Sequence, residues 1–365
     1  MQDINIRNDG PTEKERQISS RLIGWYREHK RELPWRDTAD PYTIWISEII
    51  LQQTRVNQGL DYFYRFMARF PDVAALAEAS EDEVLKYWQG LGYYSRARNL
   101  HAAAKTIAGR FGGVFPSRYD DVRSLKGIGD YTAAAIVSFA WNQPYPVVDG
   151  NVFRVLSRLY AEETPVDSVQ GKKLFAALAG NLMNKTEAGL HNQAMMEFGA
   201  LHCTPANPQC MFCPVAEWCA ARTEGAETRY PVKQQKTKVK ERYFHYFHIV
   251  CDNRFTYLNR RGGKDIWEGL FEFPLIETDS PADFAALSAT KAFRTLFEGI
   301  PDPVITVGLA NRKHVLSHRI LYATFYKVEI RTEGPGLRSY LKIPCGEMEK
   351  YAIPRLIHIY MEKTG

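Results

Sequence analysis

The spacing of hydrophobic and polar residues divides the chain into two parts with different predicted secondary structure. Between residues 18 and 222, apolar residues recur at steps of three and four, which predicts amphipathic helices. Short breaks containing Gly or Pro separate these segments, as is typical of an all-helical globular domain. The predicted helices cover residues 18–30, 42–70, 81–89, 98–111, 131–141, 152–160, 171–183 and 191–200.

The remainder of the chain has a different character. Residues 242–365 contain β-branched and aromatic runs that predict strands at 243–251, 255–260, 304–309 and 320–329, with helices at 281–297 and 348–364. We therefore expect an α+β domain there. Residues 1–17 are polar and unpatterned, which predicts a flexible lead-in. Residues 223–241 are polar and basic and predict a linker. A solvated connector is the simpler interpretation of most of it, but its lysines are able to contact a phosphate backbone.

Composition narrows the class of protein. The chain has 365 residues, of which 45% are hydrophobic and 24% charged, and these values are typical of globular proteins. No run approaches the roughly 18 apolar residues that a bilayer requires, so we expect no membrane association. The first residues lack the basic and then apolar pattern of a secretion signal, and we expect a cytoplasmic protein. The net charge of +5 permits a polyanionic partner without requiring one.

Four of the six cysteines lie within one short window, with the spacing C-x6-C-x2-C-x5-C. In a reducing compartment such crowding indicates a metal site rather than disulfides. Four thiolates suit either tetrahedral zinc or an iron–sulfur cluster, and spacing alone does not choose between them. The window has only one Cys-x-x-Cys pair, which favours a [4Fe–4S] cluster. The candidate ligands are Cys203, Cys210, Cys213 and Cys219.

A glycine turn precedes one of the predicted helices. Gly127 and Gly129 lie between a helical stretch at 122–126 and a helix that begins near Tyr131. Two glycines let the backbone approach a ligand closely, and the helix that follows presents free N–H groups. Together these features predict a helix–hairpin–helix that holds a nucleic-acid phosphate. A simple glycine corner between two helices is the alternative.

Two carboxylic acids are candidates for acid–base chemistry. Glu48 has apolar residues at three- and four-residue helical steps, so we expect desolvation to raise its pKa and suit it to general-acid catalysis. The alternative is an acid on the face of a helix, paired with Arg55 or another base. Asp149 precedes Gly150 and Asn151 at the start of a helix, where a simple N-cap is the alternative. Asn151 is the expected cap by position, which would leave Asp149 free.

Two basic and aromatic segments complete the set of motifs. Residues 33–36 read Leu-Pro-Trp-Arg, and residues 90–99 form a glycine turn with adjacent tyrosines and arginines. Stacking rings and cations suit nucleic-acid bases and phosphates. Either segment taken alone is equally consistent with aromatic core packing beside a solvated basic end.

The motifs occur in an order that resembles the helix–hairpin–helix DNA glycosylases of the endonuclease III superfamily, and most of all the adenine DNA glycosylase (MutY) family. Residues 33–36, 47–56 and 148–152 match segments of that family, as does the cysteine window. The resemblance implies an all-helical glycosylase domain at 18–222 with an iron–sulfur loop at 203–219. It also implies a MutT-like Nudix α+β domain at 242–365, with likenesses at 266–274 and 314–318. The domain lacks the acidic sequence motif with which Nudix hydrolases hold magnesium. We therefore expect it to bind nucleotides and not to hydrolyse them.

The resemblance also implies roles for individual residues. Glu48 would protonate adenine, and Asp149 would stabilise the sugar cation or bond to it transiently. Tyr131 and Asn151 would assist around Asp149. The adenine pocket would be lined by Arg36 and Glu197, and the four cysteines would hold a [4Fe–4S] cluster.

The implied partner is double-stranded DNA with adenine opposite 8-oxoguanine, or opposite G, bound by a monomer near the nucleoid. Gln53 and Tyr93 would act as wedges when adenine is flipped out of the duplex. Tyr131 stands where related lyases carry a Schiff-base lysine, which implies hydrolysis without strand cutting. A pyrimidine glycosylase and lyase of the endonuclease III type, or a DNA-binding module without activity, are the alternatives. Further expected DNA contacts are Thr54, Leu91, Gly127, Gly129, Ser317 and His318.

Overall fold

The computed structural model describes residues 11–234 and 239–364. These residues form two compact units. One contains the described residues up to Ala77 and those from Ala102 to 234, and the other contains Glu78–His101 and the described residues from 239 onward. The division differs from the boundaries expected at 18–222 and 242–365. The reason is that residues 78–101 bond to the tail: Arg98 Nη2 donates to Glu268 Oε2 at 2.8 Å.

Helices make up the chain as far as residue 223. The first helix begins at Glu13, five residues earlier than expected, because Thr12 and Glu15 form a reciprocal capping box. The lead-in expected at 1–17 therefore ends by residue 12, and residues 1–10 lie outside the described range. Elements α5 and the start of α6 belong to the second unit. The helices are α1 Glu13–His29, α2 Pro41–Leu51, α3 Val56–Arg69, α4 Val73–Glu78, α5 Glu81–Trp88, α6 Ser95–Arg110, α7 Tyr119–Arg123, α8 Asp130–Trp141, α9 Gly150–Tyr160, α10 Val169–Leu182, α11 Ala188–Leu201 and α12 Ala220–Thr223.

A break between α2 and α3 divides the segment that we expected to be a single helix at 42–70. The chain turns at residues 52–55, where Gln53 has a φ of +58°. Short 3-10 turns occur at Lys185–Glu187, Cys210–Phe212, Ala216–Trp218 and Glu227–Arg229. The core of this unit is built from α1, α9, α10 and α11, which contribute the buried residues Ile18, Leu22, Leu156, Phe175, Leu182 and Phe198. None of the helices within the described ranges is both long and apolar enough to serve as a bilayer span.

The second unit contains a seven-stranded mixed sheet with the order β3-β2-β1-β6-β5, in which β4 also pairs with β1 and β7 with β2. Strands β1 and β6 are parallel, and the other pairs are antiparallel. The elements are β1 Lys240–Cys251, β2 Phe255–Arg260, β3 Phe271–Glu272, β4 Leu275–Thr278, α13 Phe284–Ser288, α14 Lys291–Leu296, β5 Val304–Val315, β6 Arg319–Ile330, β7 Leu341–Pro344 and α15 Arg355–Thr364.

Both faces of this sheet are covered, which explains why β1 has no polar side. Phe244 and Tyr246 pack in a core with Tyr360 of α15, whereas Phe247 packs in the core on the opposite face with Leu296 of α14. Two further 3-10 turns lie at Pro335–Leu337 and Cys345–Lys350. The expected fold class, a helical domain followed by an α+β domain, is confirmed.

Candidate active site

A cavity of about 700 Å³ in the first unit brings together the residues expected to carry the chemistry. It lies where α2, the start of α8 and the start of α9 meet. Every residue expected to be catalytic or to line an adenine pocket is found in its wall. These residues are Glu48, Tyr131, Asp149, Asn151, Arg36 and Glu197.

Glu48 is a buried carboxyl on α2. The helix begins cleanly because Asp40 accepts hydrogen bonds from the first backbone N–H groups and Pro41 opens the first turn. Glu48 is 8% exposed, and burial raises its pKa above the ordinary glutamate value, against the opposing effects of Tyr131 and Arg36. Among the ion pairs of the described residues there is none between Glu48 and Arg55. Glu48 therefore retains its proton to a higher pH than a surface glutamate does.

Tyr131 forms a hydrogen bond with Glu48. It lies in the first turn of α8, which packs against α2, and its hydroxyl donates to Glu48 Oε2 at 2.7 Å. Burial raises the Tyr131 pKa well above the ordinary tyrosine value, and the charges of Glu48 and Asp149 add to the effect. Tyr131 is therefore a neutral donor to Glu48. The charge of Asp149 also acts on its hydroxyl, and the expected role around Asp149 stays a prediction.

Asp149 is itself the N-cap of α9, so the expectation that Asn151 caps this helix is wrong. Asp149 Oδ1 accepts from the backbone N–H groups of Asn151 at 2.9 Å and Val152 at 2.8 Å. Its Oδ2 accepts from the Asn151 side-chain amide at 2.8 Å. Burial raises the Asp149 pKa, while these three bonds favour the ionised form and oppose that rise. Asp149 is both the helix cap and part of the cavity wall.

Arg154 fixes the far side of Asn151. Its Nη2 donates to Asn151 Oδ1 at 2.9 Å and to the Gly199 carbonyl at 2.7 Å. Its Nε donates to the Cys203 carbonyl at 2.8 Å. The orientation of the Asn151 amide, and through it the position of the Asp149 carboxylate, is therefore set by a buried arginine that also holds the start of the cysteine loop.

Glu197 anchors two arginines at the opposite wall. Arg31 binds it in a bidentate manner, with Nε 2.6 Å from Oε1 and Nη2 2.7 Å from Oε2, and Arg36 Nη2 lies 3.3 Å from Oε2. Burial acts to raise the Glu197 pKa, but the two arginines outweigh it and hold the pKa below the ordinary value. The buried Arg36 Nε has no hydrogen-bond partner within the described residues. It remains available to an acceptor on a molecule bound in the cavity.

The glycine hairpin has the geometry of a backbone-binding turn. Gly127 has a φ of +81°, a conformation that side chains disfavour, and Gly129 is the N-cap of α8 without any side-chain bond to the helix. The preceding helix α7 ends at Arg123, so Lys126 lies in the turn rather than on a helix. The first N–H groups of α8 therefore have no capping side chain and are available to a phosphate.

The two expected wedges both have left-handed backbone conformations. Gln53 follows α2 with a φ of +58°, and its exposed side chain lies in the cavity wall beside Thr54. Tyr93, in the second unit, has a φ of +49° and is 41% exposed. Positive φ is uncommon for residues with side chains and is often found at functional loops.

A second cavity, of about 360 Å³, lies in the second unit. Tyr93, Ser317 and His318 line it, together with Trp267 and Arg98. The Tyr93 hydroxyl is hydrogen-bonded to Ser317 Oγ. The structure thus brings together one expected wedge, Tyr93, and two residues expected to contact DNA or the lesion, Ser317 and His318.

Leu91 does not join them. Its side chain is buried, at 7% exposure, and does not contribute to the wall of this second cavity. A role for Leu91 in packing beneath the loop agrees with this position.

The four clustered cysteines line one small cavity beside α9, and none of them forms a disulfide within the described residues. The buried Arg158 donates to Cys203 Sγ at 3.3 Å and to the carbonyls of Thr204 and Pro205 at 2.7 and 2.9 Å. Within the described residues, no group of three or more His, Cys, Asp or Glu side chains converges as a single-ion site would require. A cation beside four thiols that line one cavity suits an anionic sulfur-ligated group.

Comparison with known proteins identifies the family. Residues 46–176 match the model of the HhH-GPD superfamily of base excision DNA repair proteins, and residues 245–363 match a NUDIX domain. An adenine DNA glycosylase of Buchnera aphidicola (subspecies Acyrthosiphon pisum) is 35% identical over 266 residues, which cover 73% of this chain and 76% of the relative. The chain belongs to the adenine DNA glycosylase family. It is thus a DNA glycosylase, as the sequence predicted.

Other proteins are similar to parts of this glycosylase. The human adenine DNA glycosylase is 41% identical over 210 residues, which cover 55% of this chain and 38% of the relative. The solved structure of a thermostable thymine-DNA glycosylase matches with a TM-score of 0.54 at 26% identity, covering 58% of this chain and 97% of that one. The matched part of this chain therefore shares its fold with a glycosylase whose name refers to thymine rather than adenine.

Sequence reasoning missed two residues of the glycosylase cavity. Arg31 lies in the charged run Lys30-Arg31-Glu32, which reads as a solvated helix end, and its partner Glu197 is distant in sequence. Arg154 follows Asn151 by three residues on α9, a helical spacing that indicates contact between the two side chains. That spacing was the one available signal.

Proposed function

We propose that this protein is a monofunctional base-excision-repair glycosylase that hydrolyses the N-glycosidic bond of adenine mispaired with 8-oxoguanine in duplex DNA, with G as a secondary partner. The observation that carries the proposal is that two carboxyls line one cavity and have different hydrogen-bond partners. Glu48 is buried and bonded by a neutral tyrosine, whereas Asp149 receives three hydrogen bonds that favour its ionised form.

This pairing matches the needs of N-glycosidic hydrolysis. Adenine is a poor leaving group until a ring nitrogen is protonated, and Glu48 supplies that proton. The sugar then develops the character of an oxocarbenium cation, which the Asp149 carboxylate stabilises. Water completes the reaction at the sugar. The division of labour rests on the hydrogen bonds that favour the ionised form, of which Glu48 receives one and Asp149 three.

Reaction in the cavity requires adenine to leave the duplex, which costs a few kcal/mol of stacking and pairing. The cavity of about 700 Å³ has room for a base and part of its sugar. Gln53 at its edge and Tyr93 on the second unit are exposed, and they would fill the space that the flipped nucleotide leaves. Arg36 and the arginine-bound Glu197 would orient the base.

The cavity wall also supports hydrolysis without strand cutting. A glycosylase with lyase activity needs an amine that forms a Schiff base with the sugar. Among the described residues that line the cavity there is no lysine, and Tyr131 occupies the position where lyases of the superfamily carry one. Lys126 lies in the hairpin turn and is exposed.

Recognition of 8-oxoguanine is assigned to the second cavity. Ser317, His318 and Tyr93 offer hydroxyl and imidazole groups for the extra polar atoms of the oxidised base, and Tyr93 also offers a ring for stacking. This reading is supported by the position of the Nudix-like match, which includes Ser317 and His318.

The expected cofactor is a [4Fe–4S] cluster held by Cys203, Cys210, Cys213 and Cys219. The lining of one cavity by these thiols and the cationic Arg158 beside Cys203 support it. When bound, the cluster would stiffen the loop and tie it to α9. Iron and acid-labile sulfide analysis of the purified protein tests this. Four of each per chain is the expected result, and zinc in their place would contradict it.

A glycosylase assay on duplexes of defined sequence tests the function. The expected result is strand cleavage after alkali treatment only at the mispaired adenine, faster opposite 8-oxoguanine than opposite G. Excision of an oxidised pyrimidine with spontaneous nicking would favour the endonuclease III alternative. Binding without release of any base would favour the inactive module. The Glu48→Gln variant should lose turnover and keep lesion binding, and an equal loss of both would refute its assigned role.

A further inference from the structure

A third cavity, of about 720 Å³, adjoins the catalytic cavity in the first unit, and we refer to it as the side cavity. The two cavities share four wall residues, namely Gly150, Asn151, Arg154 and Pro205. They therefore meet at the first turn of α9, immediately beside the residues that hold Asp149. A strand whose sugar lies at Asp149 would reach the side cavity with its adjoining backbone.

Two exposed lysines line the side cavity. Lys172 on α10 and Lys233 after the cis Tyr230–Pro231 bond line it, and both are exposed. Neither makes an ion pair or a side-chain hydrogen bond within the described part of the chain. The acid in the wall, Asp167, already accepts a hydrogen bond from the Gln234 backbone N–H at 2.9 Å. The wall therefore has a net positive charge, because three cationic side chains, Lys172, Lys233 and Arg154, line it together with one carboxylate.

The position of Lys233 is fixed on both sides. The Val166 N–H donates to the Val232 carbonyl at 3.0 Å, and the Gln234 N–H donates to Asp167. These bonds hold residues 232–234 against the loop before α10. The three residues lie within the segment at 223–241 that the sequence predicted to be a linker. Because the backbone around Lys233 is held in this way, less conformational freedom is lost when the lysine binds an anion.

We propose that the side cavity binds the phosphodiester backbone of the adenine-bearing strand next to the flipped nucleotide, with Lys172 and Lys233 each neutralising a phosphate. This rests on the proposed function, since it needs DNA in the catalytic cavity. Lysine is a point charge without base-reading geometry, so the contact would position the strand and be independent of sequence. Counterion release would make the contact sensitive to salt.

Salt-dependent binding by the full-length, cluster-containing protein tests the proposal. Lys172→Ala and Lys233→Ala are compared with Lys173→Ala, a neighbouring exposed lysine outside the side cavity. The probe is a duplex with 2′-fluoro-deoxyadenosine opposite 8-oxoguanine, since the fluorine slows cleavage. Each side-cavity variant should lower the log–log salt slope by about 0.9 and weaken binding about five- to tenfold near 0.1 M salt. Lys173→Ala should leave both unchanged.

Neutral phosphates locate the contact. A single methylphosphonate is placed in turn at the phosphates flanking the adenosine, and one position should remove the difference between the unchanged protein and Lys233→Ala. A difference that persists at every position on that strand would overturn the assignment, as would equal salt slopes for the three lysine variants. The two claims fail separately, because only the absence of adenine release by the unchanged protein contradicts the proposed function.

Discussion

The hydrogen bond from Tyr131 opposes the rise that burial causes in the pKa of Glu48, the proposed general acid. Tyr131→Phe removes the hydroxyl that lies 2.7 Å from Glu48 Oε2 and leaves the ring in place. A hydrogen bond to an ionised group contributes about 1.5–3 kcal/mol. One pKa unit corresponds to about 1.36 kcal/mol. Since this bond is stronger to the ionised carboxylate than to the protonated carboxyl, its loss should raise the Glu48 pKa further.

The assay is the single-turnover rate of adenine release as a function of pH. A general acid must be protonated, so the rate falls as the pH rises through its pKa. The alkaline limb of the profile should therefore move to higher pH by about one pH unit in Tyr131→Phe, because a hydrogen bond to an ionised group is about 1–1.5 kcal/mol stronger than one between neutral groups. Tyr119→Phe is the control, because the Tyr119 hydroxyl lies 3.5 Å from Asp130 and not from the acid. An unmoved limb, or a limb shifted to lower pH, would refute the reasoning.

Three further outcomes are expected. Glu197→Gln should lower the free energy of unfolding by about 3–5 kcal/mol at neutral pH, because it breaks a buried ion pair. Since the Glu197 pKa is depressed, that difference in denaturant melts should shrink as the pH falls below 4.5. Arg154→Met removes the hydrogen bonds to Asn151 and to the Cys203 carbonyl. It should therefore slow adenine release and lower the iron content per chain, both measured on one preparation. No change in either would contradict the structure. Ser317→Ala should reduce the preference for 8-oxoguanine over G by up to about tenfold in competing duplexes, and an unchanged ratio would exclude its role.

The environment of Glu48 was predictable because it is local. A helix places residues at three- and four-residue steps together, so the apolar neighbours in the sequence are the neighbours in space. The same logic fails for Arg31, whose partner Glu197 lies 166 residues away. Its charge indicated a solvated surface until the fold supplied the carboxylate.

The error at Asp149 has a different origin. Asp149 and Asn151 are both good capping residues, and sequence alone does not fix a helix boundary to within two residues. The structure begins α9 at Gly150, so the cap falls on Asp149. The break at Gln53 was likewise hidden, because the apolar pattern on both sides of residues 52–55 continues without an obvious Gly or Pro.

The assignment of residues 78–101 to the second unit has a consequence for synthesis of the protein. Arg98 bonds to Glu268, a residue 170 positions further along the chain. At a translation rate of about 5–20 residues per second, roughly 10–30 s pass between the appearance of the two at the ribosome. During that interval the aromatic turn around Tyr93 has left the ribosome without its partners. A nascent chain that stalls before Glu268 would therefore expose the aromatic turn around Tyr93, still without its partners, to chaperones and proteases.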